Sequence, residues 1–139
     1  LLAMVSDARH RIIPNWLTIV MLLTGLAKGY YQSGLEGLGW HAAHMALALI
    51  IGMALFALRW LGGGDGKFYA ASAAWFNVQS GFLLAGMISM AGLVLVFVWF
   101  TWRKLHGQPT FSLRSGKSAQ LPFGIAIGLG TLATYALQF

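Results

Sequence analysis

Apolar runs separated by short polar segments dominate the chain. At about 20 residues per crossing of ~30 Å of hydrocarbon, the pattern predicts five apolar helices, at 15–31, 40–58, 67–80, 82–102 and 121–138. The opening stretch "LLAMV" reads as the tail of one more hydrophobic helix that starts before residue 1. The expected fold is therefore all-α: a polytopic membrane helix bundle of about six transmembrane helices, the first truncated, forming a single domain over 1–139.

Composition agrees with that reading. Of 139 residues 58% are hydrophobic and only 9% charged, which no ordinary soluble domain matches. The formal charge of +6 comes from nine Lys and Arg against three acids. Alternating the connections between two sides places Arg9, Arg11, Arg59, Lys67, Arg103, Lys104, Arg114 and Lys117 on one side, with Lys28 and Glu36 towards the other. The positive-inside rule then makes the first side cytoplasmic. Basic helix flanks account for the charge, membrane lipid is the expected surrounding, and no nucleic-acid partner is expected. The chain has no cysteine, which excludes thiol chemistry. Trp16, Trp40, Trp60, Trp99 and Trp102 fall at predicted helix ends, as indole rings at headgroup level should, whereas Trp75 does not.

The segment "KFYAASAAWFNVQS" is too short to cross alone, at about 21 Å of helical rise. One of its ends must be non-helical backbone covered by protein or a water-filled cavity. The end preceded by "GGGD" is the expected one, with Gly62, Gly63, Gly64 and Gly66 free to take positive φ and to let another chain approach. Asp65 lies in that stretch, and Asp7 lies 58 residues earlier, after the truncated helix. One hydrophobic excursion out and one back returns the chain to the same side, so both acids are expected at cytoplasmic helix ends. Two carboxylates in a partly desolvated cleft share a proton and titrate as a pair. One can act as general base on a water while the other protonates or hydrogen-bonds a scissile carbonyl.

The motifs around these acids resemble a known family. "GGGDGK" (Gly62 to Lys67) is similar to the GxGD motif of the type IV prepilin peptidases, intramembrane aspartic proteases, and "SDARHRIIPNW" (Ser6 to Trp16) resembles their first-aspartate motif. "LPFGIAIGLG" (Leu121 to Gly130) resembles their third signature, a Pro-Phe-Gly turn opening the last helix. The resemblance implies that Asp7 and Asp65 are the catalytic pair of a single transmembrane peptidase domain. It further implies that no metal or other cofactor takes part and that a prepilin-like protein is cut at the cytoplasmic face of the bacterial inner membrane. Gly62, Gly63, Gly64, Gly66 and Lys67 would border the bound peptide. Larger members carry paired Cys-x-x-Cys motifs and also N-methylate the new terminus; the absence of cysteine here implies proteolysis without methyl transfer, as in the minimal branch of tight-adherence (Flp-type) pili. Presenilin-like proteases are at most distant relations.

Plainer readings stand beside these. Asp7 and Asp65 could be solvated helix-end charges, and Lys67 could tune the acids or snorkel to the headgroups. Pro14 and Asn15 read as a helix start. His41 and His44 share a helix face, but no third ligand is near them in sequence to make a metal site. The GxxxG patterns at Gly25 to Gly29 and Gly124 to Gly128 suit internal packing or a homo-oligomer face. The polar segment Trp102 to Gln120 suits a lipid-held loop or a flap over the acids. Two other function classes are a small cation or proton transporter with the acids as its translocation site, and a non-enzymatic membrane subunit.

Overall fold

A computed structural model describes Ser6, residues 13–105 and residues 123–138. Among the described residues the secondary structure is helical throughout. The elements are α1 (Asn15–Ala57), α2 (Gly63–Ala73), a 3-10 turn (Val78–Ser80), α3 (Gly81–Leu105) and α4 (Phe123–Gln138). The expected opening helix, with Asp7, and the segment 106–122 lie outside the described residues.

The 43 residues of α1 form two arms, because Ser33 (φ −147°, ψ 23°) and Gly34 (φ 62°, ψ −142°) leave helical geometry. The conformation of Gly34 is one that only glycine adopts without strain. It turns the chain back on itself, and the backbones of Gly29 and Gly37 come into contact across the hairpin. The arms, 15–32 and 35–57, correspond to the predicted helices 15–31 and 40–58, except that the second begins five residues earlier, because the break is confined to Ser33 and Gly34. At 1.5 Å per residue they measure about 27 and 34 Å. Pro14, extended at φ −60° and ψ 133°, precedes the first arm, as a residue with fixed φ should.

The second arm ends in a Schellman arrangement. The Arg59 N–H donates to Phe56 O and the Trp60 N–H to Leu55 O, with Arg59 in the left-handed region at φ 61°. That position normally belongs to glycine.

Short α2 is the centre of the bundle. Gly66, Phe68, Ala70, Ala71, Ser72 and Ala73 are buried, and these mostly small side chains let neighbouring helices approach closely. The helix packs along α1 and also touches α4, while α3 and α4 form a second pair. Gly130 is the contact point of that pair, since a Cβ there would lie 2.5 Å from Ile88 Cα. The outer surface is apolar, with Phe82 94% exposed and Leu93, Phe97 and Leu137 also exposed. A helix bundle that turns such residues outward is built for a hydrocarbon solvent.

The position of the break in the short segment corrects the sequence expectation. The glycines of "GGGD" are not an irregular, membrane-embedded bend with positive φ: Gly63, Gly64 and Gly66 are helical, and Gly62 precedes them at φ −70°. The buried break lies at the opposite end, where α2 stops at Ala73 and the chain passes through Ala74, Trp75 and Phe76 to the 3-10 turn. Asn77 starts that turn by accepting the Gln79 N–H through its side chain at 3.1 Å.

Candidate active site

Helix α2 has two chemically distinct ends. Asp65 is the third residue of the helix, and the residue that precedes the helix, Gly62, has no side chain with which to cap it. The first N–H groups of a helix have no partners within it, so this end favours negative charge. The carboxylate folds back over Gly62, so that a Cβ on Gly62 would lie 2.9 Å from Asp65 Oδ2. A side chain at position 62 would therefore have to push the Asp65 carboxylate aside. Gly66 serves packing instead: it is buried against Gly52 of the second arm, whose Cβ would lie 3.0 Å from Gly66 Cα. Gly63 would meet only the edge of Phe56 at 3.4 Å, and Gly64 faces open space. Lys67 is exposed, two residues beyond the half-buried Asp65.

At the other end, three successive backbone carbonyls are held by three basic side chains from α1. The Nδ1–H of His41 donates to Ala74 O at 2.9 Å, Lys28 Nζ to Trp75 O at 3.1 Å, and the Nδ1–H of His44 to Phe76 O at 3.0 Å. A carbonyl only accepts, so both imidazoles carry their proton on Nδ1 in these bonds. Lys28 also sits 4.9 Å from the Tyr135 ring centroid and 5.6 Å from that of Phe76, close enough for cation–π attraction. The Trp75 indole N–H donates to Met21 O at 2.8 Å. This explains the tryptophan that does not follow the headgroup pattern: it ties α2 to the first arm.

Gly25 and Gly29 seat this junction, since a Cβ on Gly25 would lie 2.8 Å from Ala74 O and one on Gly29 would lie 2.6 Å from His41 Cγ. That GxxxG pair makes internal contacts. Gly124 and Gly128 are likewise buried in the bundle.

An apolar groove of about 320 Å³ opens on the Asp65 side of the bundle, between the α1–α2 pair and the α3–α4 pair. Leu55, Trp60, Tyr69, Ile88 and Phe123 contribute to its walls. Sequence reasoning passed over Tyr69, although its spacing of four from Asp65 puts it on the same helix face. Asp7 and Pro122 lie outside the described residues.

A helical bundle with an apolar exterior and an acid in the first turn of its central helix defines a class, that of helical membrane proteins with a polar site at a helix terminus. Residues 1–106 match the model of the type IV leader peptidase family, and the chain belongs to that family. It is 33% identical over 98 residues to Prepilin peptidase EppA of Methanococcus maripaludis, an alignment covering 70% of this chain and 27% of that protein. It is 34% identical over 83 residues to Prepilin peptidase EppA of Methanocaldococcus jannaschii, covering 60% of this chain and 23% of the relative. The chain thus spans about a quarter of the length of the curated relatives it matches. No solved structure matches it.

Proposed function

We propose that this chain is a leader peptidase of the prepilin type, an aspartic endopeptidase whose working pair is Asp7 and Asp65. The observation that carries the reading is the family match over residues 1–106, which includes both acids; the family match lends no support to a transporter. The carboxylate of one aspartate takes a proton from a water molecule as the water oxygen adds to the scissile carbonyl carbon. The other, protonated, gives its proton to the carbonyl oxygen. Collapse of the tetrahedral intermediate breaks the C–N bond, and the amine leaves with a proton from the pair.

The membrane arrangement is part of the same proposal. Each arm of α1 is long enough to cross, at about 27 and 34 Å against ~30 Å of hydrocarbon, and α3 with its preceding turn (Val78–Leu105) is long and apolar enough as well. The two arms, α2, α3 and α4 give five membrane-embedded helices among the described residues. Arg59, Lys67, Arg103 and Lys104 support a cytoplasmic orientation of the Asp65 end by the positive-inside rule. The substrate is a prepilin-like protein.

Incubating the purified protein in liposomes with prepilin-like peptides and analysing the products by mass spectrometry tests the function. A single cut at the leader boundary is expected from the wild type. Asp7→Asn and Asp65→Asn should each abolish it, and wild-type-like cleavage by either variant would sink the two-acid mechanism.

A further inference from the structure

Glu36 is the one acid of three that the proposed chemistry leaves unused. It lies just past the bend of α1, where a polar cleft of about 300 Å³ opens between the hairpin and the 3-10 turn, at the far end of α2 from Asp65. Resting on the membrane arrangement above but not on the cleavage chemistry, we propose that this cleft binds the headgroup of a phospholipid with a primary ammonium, of the phosphatidylethanolamine class.

The lining suits a cation that donates hydrogen bonds. Glu36 contributes a carboxylate, and Trp40, four residues on along the same helix face, contributes an aromatic ring. The face of such a ring attracts a nearby ammonium. His41 adds a third feature, because its ring lines the cleft although it is only 5% exposed. Its Nδ1–H is committed to Ala74 O at 2.9 Å, so the neutral imidazole has the Nε2 lone pair left to offer. No other described residue donates to that ring, and no described Lys, Arg or His pairs with Glu36. A ligand in the cleft therefore finds a carboxylate, a ring face and a nitrogen acceptor together.

The 3-10 turn supplies groups for the phosphate that accompanies such an ammonium. Asn77 commits its side-chain oxygen to the Gln79 N–H at 3.1 Å, which leaves its amide N–H groups as donors. The Gln32 and Gln79 amides line the same cleft. Acid from α1 and neutral amide donors beside it complement a zwitterion better than a simple cation.

Depth favours a lipid over a soluble amine. The arms of α1, about 27 and 34 Å long, match ~30 Å of hydrocarbon. The bend between them then stands at headgroup level, the level that a tryptophan such as Trp40 prefers. The volume is at the small end of the range for ligand sites, enough for a headgroup whose acyl chains run down the outer surface. Tyr31 and Leu35, next in the chain to Gln32 and Glu36, are 89% and 78% exposed and offer that surface an apolar start.

The test counts bound lipid by native mass spectrometry of the protein in detergent, using phosphatidylethanolamine, phosphatidylcholine and phosphatidylglycerol with identical acyl chains. One phosphatidylethanolamine should bind about tenfold more tightly than either of the others. A choline ammonium has no N–H to donate, and a glycerol headgroup has no positive charge. Glu36→Gln, at an exposed position, should weaken phosphatidylethanolamine about tenfold and leave phosphatidylglycerol unchanged. Trp40→Leu probes the same end of the cleft, should weaken it about threefold, and replaces Glu36→Gln if that variant fails to fold by circular dichroism. Equal binding of the three lipids, or a preference that survives Glu36→Gln, would overturn the site. Phosphoethanolamine bound as tightly as the lipid would assign the cleft to a soluble amine, and calcium bound through Glu36 with no headgroup preference would make it a cation site; either result overturns the proposal. Depth is checked separately, since the chain has no cysteine and a Cβ on Gly39 would meet nothing within 4 Å. Gly39→Cys in liposomes should react with a membrane-impermeant maleimide, and a thiol unreactive from both sides would overturn the membrane arrangement and the site with it. Peptide cleavage enters none of these readouts, so the peptidase reading stands or falls on its own test.

Discussion

Replacing His44 by leucine isolates one strut of the α2 junction. The imidazole is 2% exposed and its acceptor residue Phe76 is 1% exposed, so bulk water cannot reach the Phe76 carbonyl once the 3.0 Å hydrogen bond is lost. A buried acceptor left unsatisfied costs about 1–3 kcal/mol. Hydrogen bonds between membrane helices average about 0.6 kcal/mol, because the unfolded chain in the bilayer finds other partners. Here the acceptor lies past the end of a helix, so no intrahelical donor replaces the histidine. The upper part of the membrane range, about 1–2 kcal/mol, is therefore expected. For a chain of this size that is a fall in Tm of roughly 3–8 °C. His44→Asn keeps an N–H donor and should recover part of the loss. Thermal unfolding in detergent, followed by circular dichroism at 222 nm, measures both. A His44→Leu protein as stable as wild type, or His44→Asn no better than leucine, would refute the idea that this carbonyl must be satisfied.

Three further outcomes are expected. Gly62→Ala should displace the Asp65 carboxylate, which sits 2.9 Å from the added methyl group, and lower kcat for peptide cleavage at least tenfold while leaving the circular dichroism spectrum unchanged; full activity would show that the carboxylate has other room. Arg59→Gly relieves the left-handed conformation at φ 61° and should raise stability by about 1 kcal/mol, read as a higher midpoint in the same thermal assay. Gly34→Ala, by contrast, adds a methyl group with nothing within 4 Å and should still destabilise by about 1–3 kcal/mol, because the cost lies in φ and ψ; an unchanged Tm would contradict the hairpin geometry.

Much of the helix order is readable from hydrophobicity because apolar runs of membrane length have few other uses. The first arm of α1 and the extents of α3 and α4 follow the predicted spans closely, whereas the second arm starts five residues before its predicted beginning. The end of α2 is not readable in the same way. Its residues 67–80 form one apolar run, and only contacts 32, 33 and 47 residues away in sequence, with His44, His41 and Lys28, make a stop at Ala73 tolerable. The two histidines illustrate the limit: their i, i+3 spacing shows a shared face but not that the face meets backbone carbonyls. Trp75 carries a usable signal, since an indole away from the headgroup level needs a buried acceptor. The glycines near Asp65 can be recognised as a motif, yet their separate duties become visible only with neighbours in place. Gly66 accommodates Gly52, and Gly62 accommodates the acid.

The junction at the end of α2 also constrains how the molecule is assembled. A helix of 11 residues that begins "GGDGK" is too short and too polar to enter a bilayer as an independent unit. The carbonyls of Ala74, Trp75 and Phe76, just past its end, find their donors on a hairpin whose two arms are already side by side. In the proposed membrane arrangement, insertion of this segment is conditional on the segment synthesised before it, and Asp65 reaches its place by docking against earlier helices and not by its own hydrophobicity.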